Sequence, residues 1–184
     1  MNRERMFVAV GLRATPPLRK IAEELAGLGK AVRALDPDDL HLTLKFLGDT
    51  QAEFVPEIAR IVETCAATES SFTARIAGLG AFPHADRPSV VWAGLDDAEP
   101  LVRMADSLEQ KLAALGFPEE ARKYHPHVTL ARVRFKPPAE LGKLLEKHPA
   151  TAFGDLPVRT LGLYQSELRP EGSRYTVLAS AALA

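Results

Sequence analysis

The chain has 184 residues, with 23 Lys plus Arg against 24 Asp plus Glu, five His and a formal net charge of −1; 46% of residues are hydrophobic and 26% charged. That balance excludes a polybasic nucleic-acid binder, although a small basic cleft survives the averaging. The single cysteine, Cys65, excludes a disulfide framework and any Cys-based zinc or iron–sulfur centre, and it reads as a small apolar residue on a helix. No apolar run approaches the ~20 residues of a membrane span. The run after MNRER is stopped by Arg13 and Pro16 before it could form the core of a signal peptide. A soluble, cytoplasmic protein with no membrane partner is the expectation.

In chain order, Phe7 to Leu12 (FVAVGL) is rich in β-branched and aromatic residues and predicts a strand, closed by Gly11 and Pro16-Pro17. Leu18, Ile21, Ala22, Leu25 and Leu28 recur at helical spacing, with Gly29 as the stop. Val32 to Leu35 predicts a short extended piece before the turn Asp36-Pro37-Asp38-Asp39. Leu40 to Phe46 alternates as a strand, and a helix over Gln51 to Ala67 follows, with Thr50 as its expected cap. Phe72 to Leu79 predicts a further strand. Val90 to Leu95 (VVWAGL) then repeats the first strand, and Pro100 to Leu115 is helical with Leu101, Met104, Leu108, Leu112 and Leu115 on one stripe. Beyond the second histidine motif come a helix over Pro138 to Lys147, a strand over Phe153 to Tyr164 matching the one opened by Phe72, and a last hairpin arm to Ala179.

The second half resembles the first. LAGLG at Leu25–Gly29 returns as LAALG at Leu112–Gly116, an arginine follows each (Arg33, Arg122), and HLTL at His41 returns as HVTL at His127, 86 residues on. Four elements in one order at nearly constant offset argue for an internal duplication, with repeats over roughly 6–80 and 90–180. The expected organisation is a single domain, 1–184, of two pseudo-symmetric lobes between which strands are free to exchange.

The two HxTx copies carry the chemistry. Side chains alternate along a strand, so His41 and Thr43 share one face while Leu42 and Leu44 bury the other; His127, Thr129, Val128 and Leu130 repeat this. A pseudo-twofold axis would bring two imidazoles and two hydroxyls into one cleft. Two imidazoles suit a reaction in which one proton is taken and one given near neutral pH. The Thr hydroxyls can donate to non-bridging phosphate oxygens, and no metal or cofactor is required.

These motifs resemble those of the 2H phosphoesterases, and more narrowly of the bacterial and archaeal RNA 2′,3′-cyclic phosphodiesterases, also known as 2′-5′ RNA ligases. The resemblance spans nearly the whole chain, through MFVAVGL, LHLTLKFLGD, LGAFPHADRPSVVWAGL, HPHVTLARV and LYQSELRPEGSRYTVL. It implies a bilobal α+β fold, each lobe an antiparallel sheet backed by helices, with the active site in the groove between them. It further implies hydrolysis of RNA 2′,3′-cyclic ends to 2′-phosphomonoesters, with His127 as proton acceptor and His41 as proton donor. Thr43 and Thr129 would hold the phosphate, and reverse 2′-5′ ligation would be open to the same histidines. The expected partner is RNA with a cyclic phosphate end, tRNA fragments included, bound by a monomer. Phosphodiesterase action on small cyclic nucleotides or 2′-5′ oligonucleotides, and a non-catalytic RNA-end binding module, are the alternatives.

Around the second motif, residues 122–136 contain no acid. The resemblance singles out Arg132 as a phosphate contact, yet strict alternation puts it on the Leu face unless a bulge or the strand end intervenes. Lys45, at an even offset from His41, is expected to face the cleft. Phe46, at the position equivalent to Arg132, and Tyr124 read either as stacking surfaces for a base or as core. His125 reads as a neighbour of the site or its rim, and no third ligand with metal-binding spacing follows it. His84 and His148 are expected at the surface.

Overall fold

The computed structural model describes residues 3–170 and 172–184. Its elements run β1 (Arg3–Gly11), α1 (Pro16–Ala26), β2 (Val32–Ala34), β3 (His41–Gln51), α2 (Val55–Ala66), β4 (Phe72–His84), β5 (Arg87–Asp96), α3 (Glu99–Ala113), β6 (His127–Val133), α4 (Ala139–Lys147), β7 (Ala152–Val158), β8 (Thr160–Arg169) and β9 (Gly172–Ala182). They form two antiparallel sheets of strand order β3-β1-β8-β9 and β2-β6-β5-β4-β7. The fold class is α+β, two sheets with helices laid against them.

Neither sheet is built from one half of the chain. β8 and β9 join β1 and β3, while β2, from the first half, pairs with β6. Two helices also cross over. α1 follows β1 but packs on β2, β6 and β7 of the other sheet, and α3 follows β5 but packs on β3 and α2. The N-terminus of α1 is tied down by Thr15, whose hydroxyl accepts from the Leu18 N–H and donates to the Phe153 carbonyl on β7. Beneath it, Gly154 has φ 116°, and a Cβ there would meet Thr15 Cγ2 at 2.6 Å. The apolar stripes read from the sequence are the buried ones: Leu18, Ile21, Ala22 and Leu25 on α1, and Leu101, Met104, Leu108 and Leu112 on α3. Cys65 is fully buried on α2, as its composition-based reading expects.

Two expected element boundaries fail. Thr50 does not cap α2; it is the penultimate residue of β3, its hydroxyl donates to backbone carbonyls of Leu47 and Gly48, and a 3-10 turn (Ala52–Phe54) intervenes before the helix. The single strand expected over Phe153 to Tyr164 is two strands, parted at Arg159, because the chain leaves one sheet there and enters the other. An apolar alternation continues through such a crossing and hides it.

The ladders beside the histidines carry matching irregularities. In β1–β3, Val8 pairs with Lys45 and Ala9 with Thr43, so Leu44 is an extra residue; in β5–β6, Val91 pairs with Ala131 and Trp92 with Thr129, so Leu130 is extra. Each bulge reverses the facing of the residues after it. Leu44 and Lys45 are both buried, as are Leu130 and Ala131, whereas Phe46 and Arg132 are exposed. Lys45 therefore does not face the cleft. It is 3% exposed, and its Nζ donates to Glu109 on α3 at 2.9 Å and to the Pro118 carbonyl at 2.7 Å.

Because the ammonium is the more deeply buried partner, the two truncations should differ. Glu109→Ala strands a buried charge and should cost about 3 kcal/mol, whereas Lys45→Met leaves only a partly exposed carboxylate and should cost about 1 kcal/mol or less. Urea unfolding of both variants checks the order; equal losses would contradict it.

Candidate active site

β3 and β6 lie against each other where the two sheets meet. Tyr124, just ahead of β6, bridges them by donating its hydroxyl to the Thr43 carbonyl at 3.0 Å. Leu42, Leu44, Val128 and Leu130 are buried, leaving His41, Thr43, His127 and Thr129 on the opposite, half-exposed faces. The alternation read from the sequence thus holds up to each bulge, and the bulge at Leu130 returns Arg132 to the face of His127 and Thr129. The two copies lie on contacting strands, and the charge of Arg132 on β6 bears on His41 on β3.

Each imidazole is fixed in the same way. Nδ1 of His41 lies 3.1 Å from the Asp39 carbonyl, and Nδ1 of His127 lies 2.7 Å from the His125 carbonyl, two residues back in both cases. A carbonyl can only accept, so Nδ1 carries the proton and Nε2 is left as the working nitrogen. Among the described residues neither Nε2 nor either Thr hydroxyl makes a hydrogen bond.

Aromatic rings set the orientation. Phe7 on β1 packs on His41 with ring centres 4.8 Å apart, and Tyr175 from β9 meets it edge-on at 4.7 Å. Tyr164 stacks on Phe7 at 5.3 Å. On the other side, Phe82 meets His127 edge-on at 5.1 Å and Trp92 lies 6.4 Å away. Trp92 lies across Gly80, where a Cβ would meet the indole at 2.2 Å, so only glycine admits it. These walls were missed in the sequence. Phe7 and Trp92 stand inside the two matched strand words, but which face each presents depends on a partner strand. Burial behind these walls holds both imidazoles below the ordinary histidine value of about 6.5. The carbonyl contacts oppose that shift, while Arg132 adds to it at His41.

The remaining expected residues divide. Phe46 is 60% exposed on the His41 face, beside Phe7, and is a rim side chain rather than core. His125 is exposed against Trp92 and Phe82 and offers its carbonyl to His127. Tyr124 is an internal strut, and its burial pushes the phenol pKa far up. His84 is exposed at the end of β4, whereas His148 is half-buried beside Phe153 with Nδ1 3.0 Å from the Thr151 hydroxyl, which corrects the expectation of a surface position. Among the described residues no three His, Cys, Asp or Glu side chains cluster as metal ligands, and no helix is long and apolar enough to cross a membrane.

A family model for the 2'-5' RNA ligase superfamily matches residues 14–169. The chain belongs to this superfamily. It is 37% identical over 174 residues to the RNA 2',3'-cyclic phosphodiesterase of Archaeoglobus fulgidus, covering 93% of this chain and 96% of that one. Among solved structures it resembles TT0787 of Thermus thermophilus (TM-score 0.78, 32% identity, 97% of both chains) and E. coli LigT complexed with 3'-AMP (TM-score 0.75, 28% identity, 99% of both).

The depressed imidazole values carry a stability signature. Between the folded values and about 6.5 the unfolded chain binds more protons than the folded one, so stability rises with pH through that window and is lost as pH falls through it. NMR titration should find His41 and His127 titrating below about 6.5. Urea unfolding at pH 5 and pH 7 should show a smaller acid loss in His41→Gln/His127→Gln than in the wild type. Ordinary or raised values would contradict the burial argument.

Proposed function

We propose that this protein hydrolyses RNA ends carrying a 2′,3′-cyclic phosphate to 2′-phosphomonoesters by two-histidine acid–base catalysis, without a metal ion. The observation that carries the reading is the matched pair of imidazoles on contacting strands, each with Nδ1 bound to a carbonyl and Nε2 without a hydrogen-bond partner among the described residues. The relatives' names, RNA 2',3'-cyclic phosphodiesterase, point to the same substrate class. The reading is of a single-domain monomer whose two lobes descend from one repeat. It acts in the cytoplasm on RNA ends, tRNA fragments among them.

In this mechanism Thr43, Thr129 and Arg132 hold the phosphate oxygens. Nε2 of His127 takes a proton from water as the water oxygen attacks phosphorus. The bond from phosphorus to the 3′ oxygen breaks, and the His41 imidazolium gives that oxygen its proton, leaving a 3′ hydroxyl and a 2′-phosphomonoester. In-line displacement puts entering and leaving oxygens on opposite sides of phosphorus, which is why a base and an acid on opposite strands are needed. Arg132 supports the assignment, since a permanent cation beside His41 makes its imidazolium a readier proton donor. With a 5′ hydroxyl taking part in the reverse reaction, the same groups form a 2′-5′ linkage.

With an oligonucleotide ending in a 2′,3′-cyclic phosphate, turnover should persist in EDTA. It should fall about 10²–10⁴-fold in His41→Ala and in His127→Ala. Turnover abolished by EDTA would overturn the metal-independent mechanism, and active single variants would overturn the site.

The pH profile of kcat/KM reports the free enzyme, whose imidazoles both lie below the ordinary value. Its maximum should therefore lie below about pH 6.5. The kcat profile should be displaced upward, because the bound phosphate anion favours imidazolium. A kcat/KM maximum well above pH 7 would contradict this.

A further inference from the structure

β2 is the short edge strand of the five-stranded sheet, and its register sets Arg33 directly opposite Arg132. Paired residues on neighbouring strands share a face at roughly 5 Å between Cα atoms. Val32 and Ala34 pair with Val133 and Ala131 on the side covered by α1, so both arginines stand on the open face with His127 and Thr129. Like charges directly opposite one another are destabilising. Among the described residues neither arginine has a carboxylate partner, although Arg19, Arg103 and Arg169 do. The exposed Arg33 side chain reaches toward the other sheet. Its Nη2 lies 3.8 Å from where Gly172, in the β8–β9 hairpin of the other sheet, would carry a Cβ. Arg33 thus stands between the two sheets, one strand outward from Arg132 and close to the β8–β9 hairpin.

We propose that Arg33 binds the phosphodiester immediately 5′ of the cyclic end, so that the groove recognises two consecutive phosphates. This rests on the reading of the protein as an RNA cyclic phosphodiesterase. Arg132 is committed to the reacting phosphorus. A terminal nucleotide whose 2′ and 3′ oxygens share one phosphorus has only its 5′ side on which to carry another phosphate. That second anion relieves the repulsion between Arg33 and Arg132 in the same step that orients the substrate, and it favours oligonucleotide ends over free cyclic mononucleotides.

The test compares three substrates: a nucleoside 2′,3′-cyclic phosphate, the same compound with a 5′-phosphate, and a dinucleotide ending in the cyclic phosphate. In the wild type the second and third should be favoured in kcat/KM by about tenfold or more, mainly through KM. Arg33→Gln should erase that gain, and Arg33→Lys should keep part of it. The salt dependence on the dinucleotide should flatten in Arg33→Gln, because one screened charge contact is lost. Lys20→Gln, exposed on α1, is the control for a general loss of charge. A gain confined to the dinucleotide in the wild type would assign the contact to the upstream nucleoside and overturn the proposal. So would a gain that survives Arg33→Gln, or an equal loss on all three substrates. Since removing Arg33 relieves a like-charge pair, the thermal midpoint should stay or rise, and a clear fall would mean a structural role instead. If the wild type turns over none of the three, the phosphodiesterase reading itself fails, whatever Arg33 does.

Discussion

The site depends on one backbone device used twice, a single extra residue in the strand that carries each histidine. Leu44 and Leu130 break the two-residue period just after Thr43 and Thr129. Without the second bulge Arg132 would point into the helix-covered side and Ala131 into the groove. A buried guanidinium there would need a partner, and the groove would lose its cation. Bulges of this kind re-aim side chains near functional sites. Here each lets a strand bury two successive residues and still present the next one outward.

The same device has different consequences in the two lobes. After the bulge in β3 the buried position is Lys45 and the outward one is Phe46; after the bulge in β6 they are Ala131 and Arg132. One lobe therefore offers an exposed aromatic ring beside its histidine and the other a guanidinium. The buried Lys45 is accommodated only because α3, arriving from the other half of the chain, brings Glu109 to it. The crossed helices thus do electrostatic as well as apolar packing, and matching bulges present different side chains beside the two histidines.

The imidazoles are set by backbone rather than by carboxylates. A carboxylate partner would hold the proton on Nδ1 and also raise the imidazole pKa. The carbonyls of Asp39 and His125 fix the tautomer with a weaker upward pull, so burial against Phe7, Tyr175 and Phe82 prevails and both pKa values are lowered.

Much of this was legible in the sequence for physical reasons. The helical stripes of α1 and α3 and the alternation of HLTL and HVTL are local periodicities, and they survive because every apolar position in them found a buried face. That His41 and Thr43, and His127 and Thr129, share a face followed from that alternation. Lys45 was misplaced because parity cannot see a bulge, and a bulge exists only relative to a partner strand. Thr50 and the break at Arg159 were misread for the same reason, since whether a residue continues a strand or leaves it depends on what lies alongside. Strand-to-sheet assignment, the aromatic walls around each imidazole and the opposition of Arg33 to Arg132 are likewise properties of pairing. The sequence by itself determined the paired HxTx words and the apolar alternation that frames them; the tertiary structure decided which way their side chains face and what stands across from them, because facing is set by inter-strand hydrogen bonds between residues far apart in the chain.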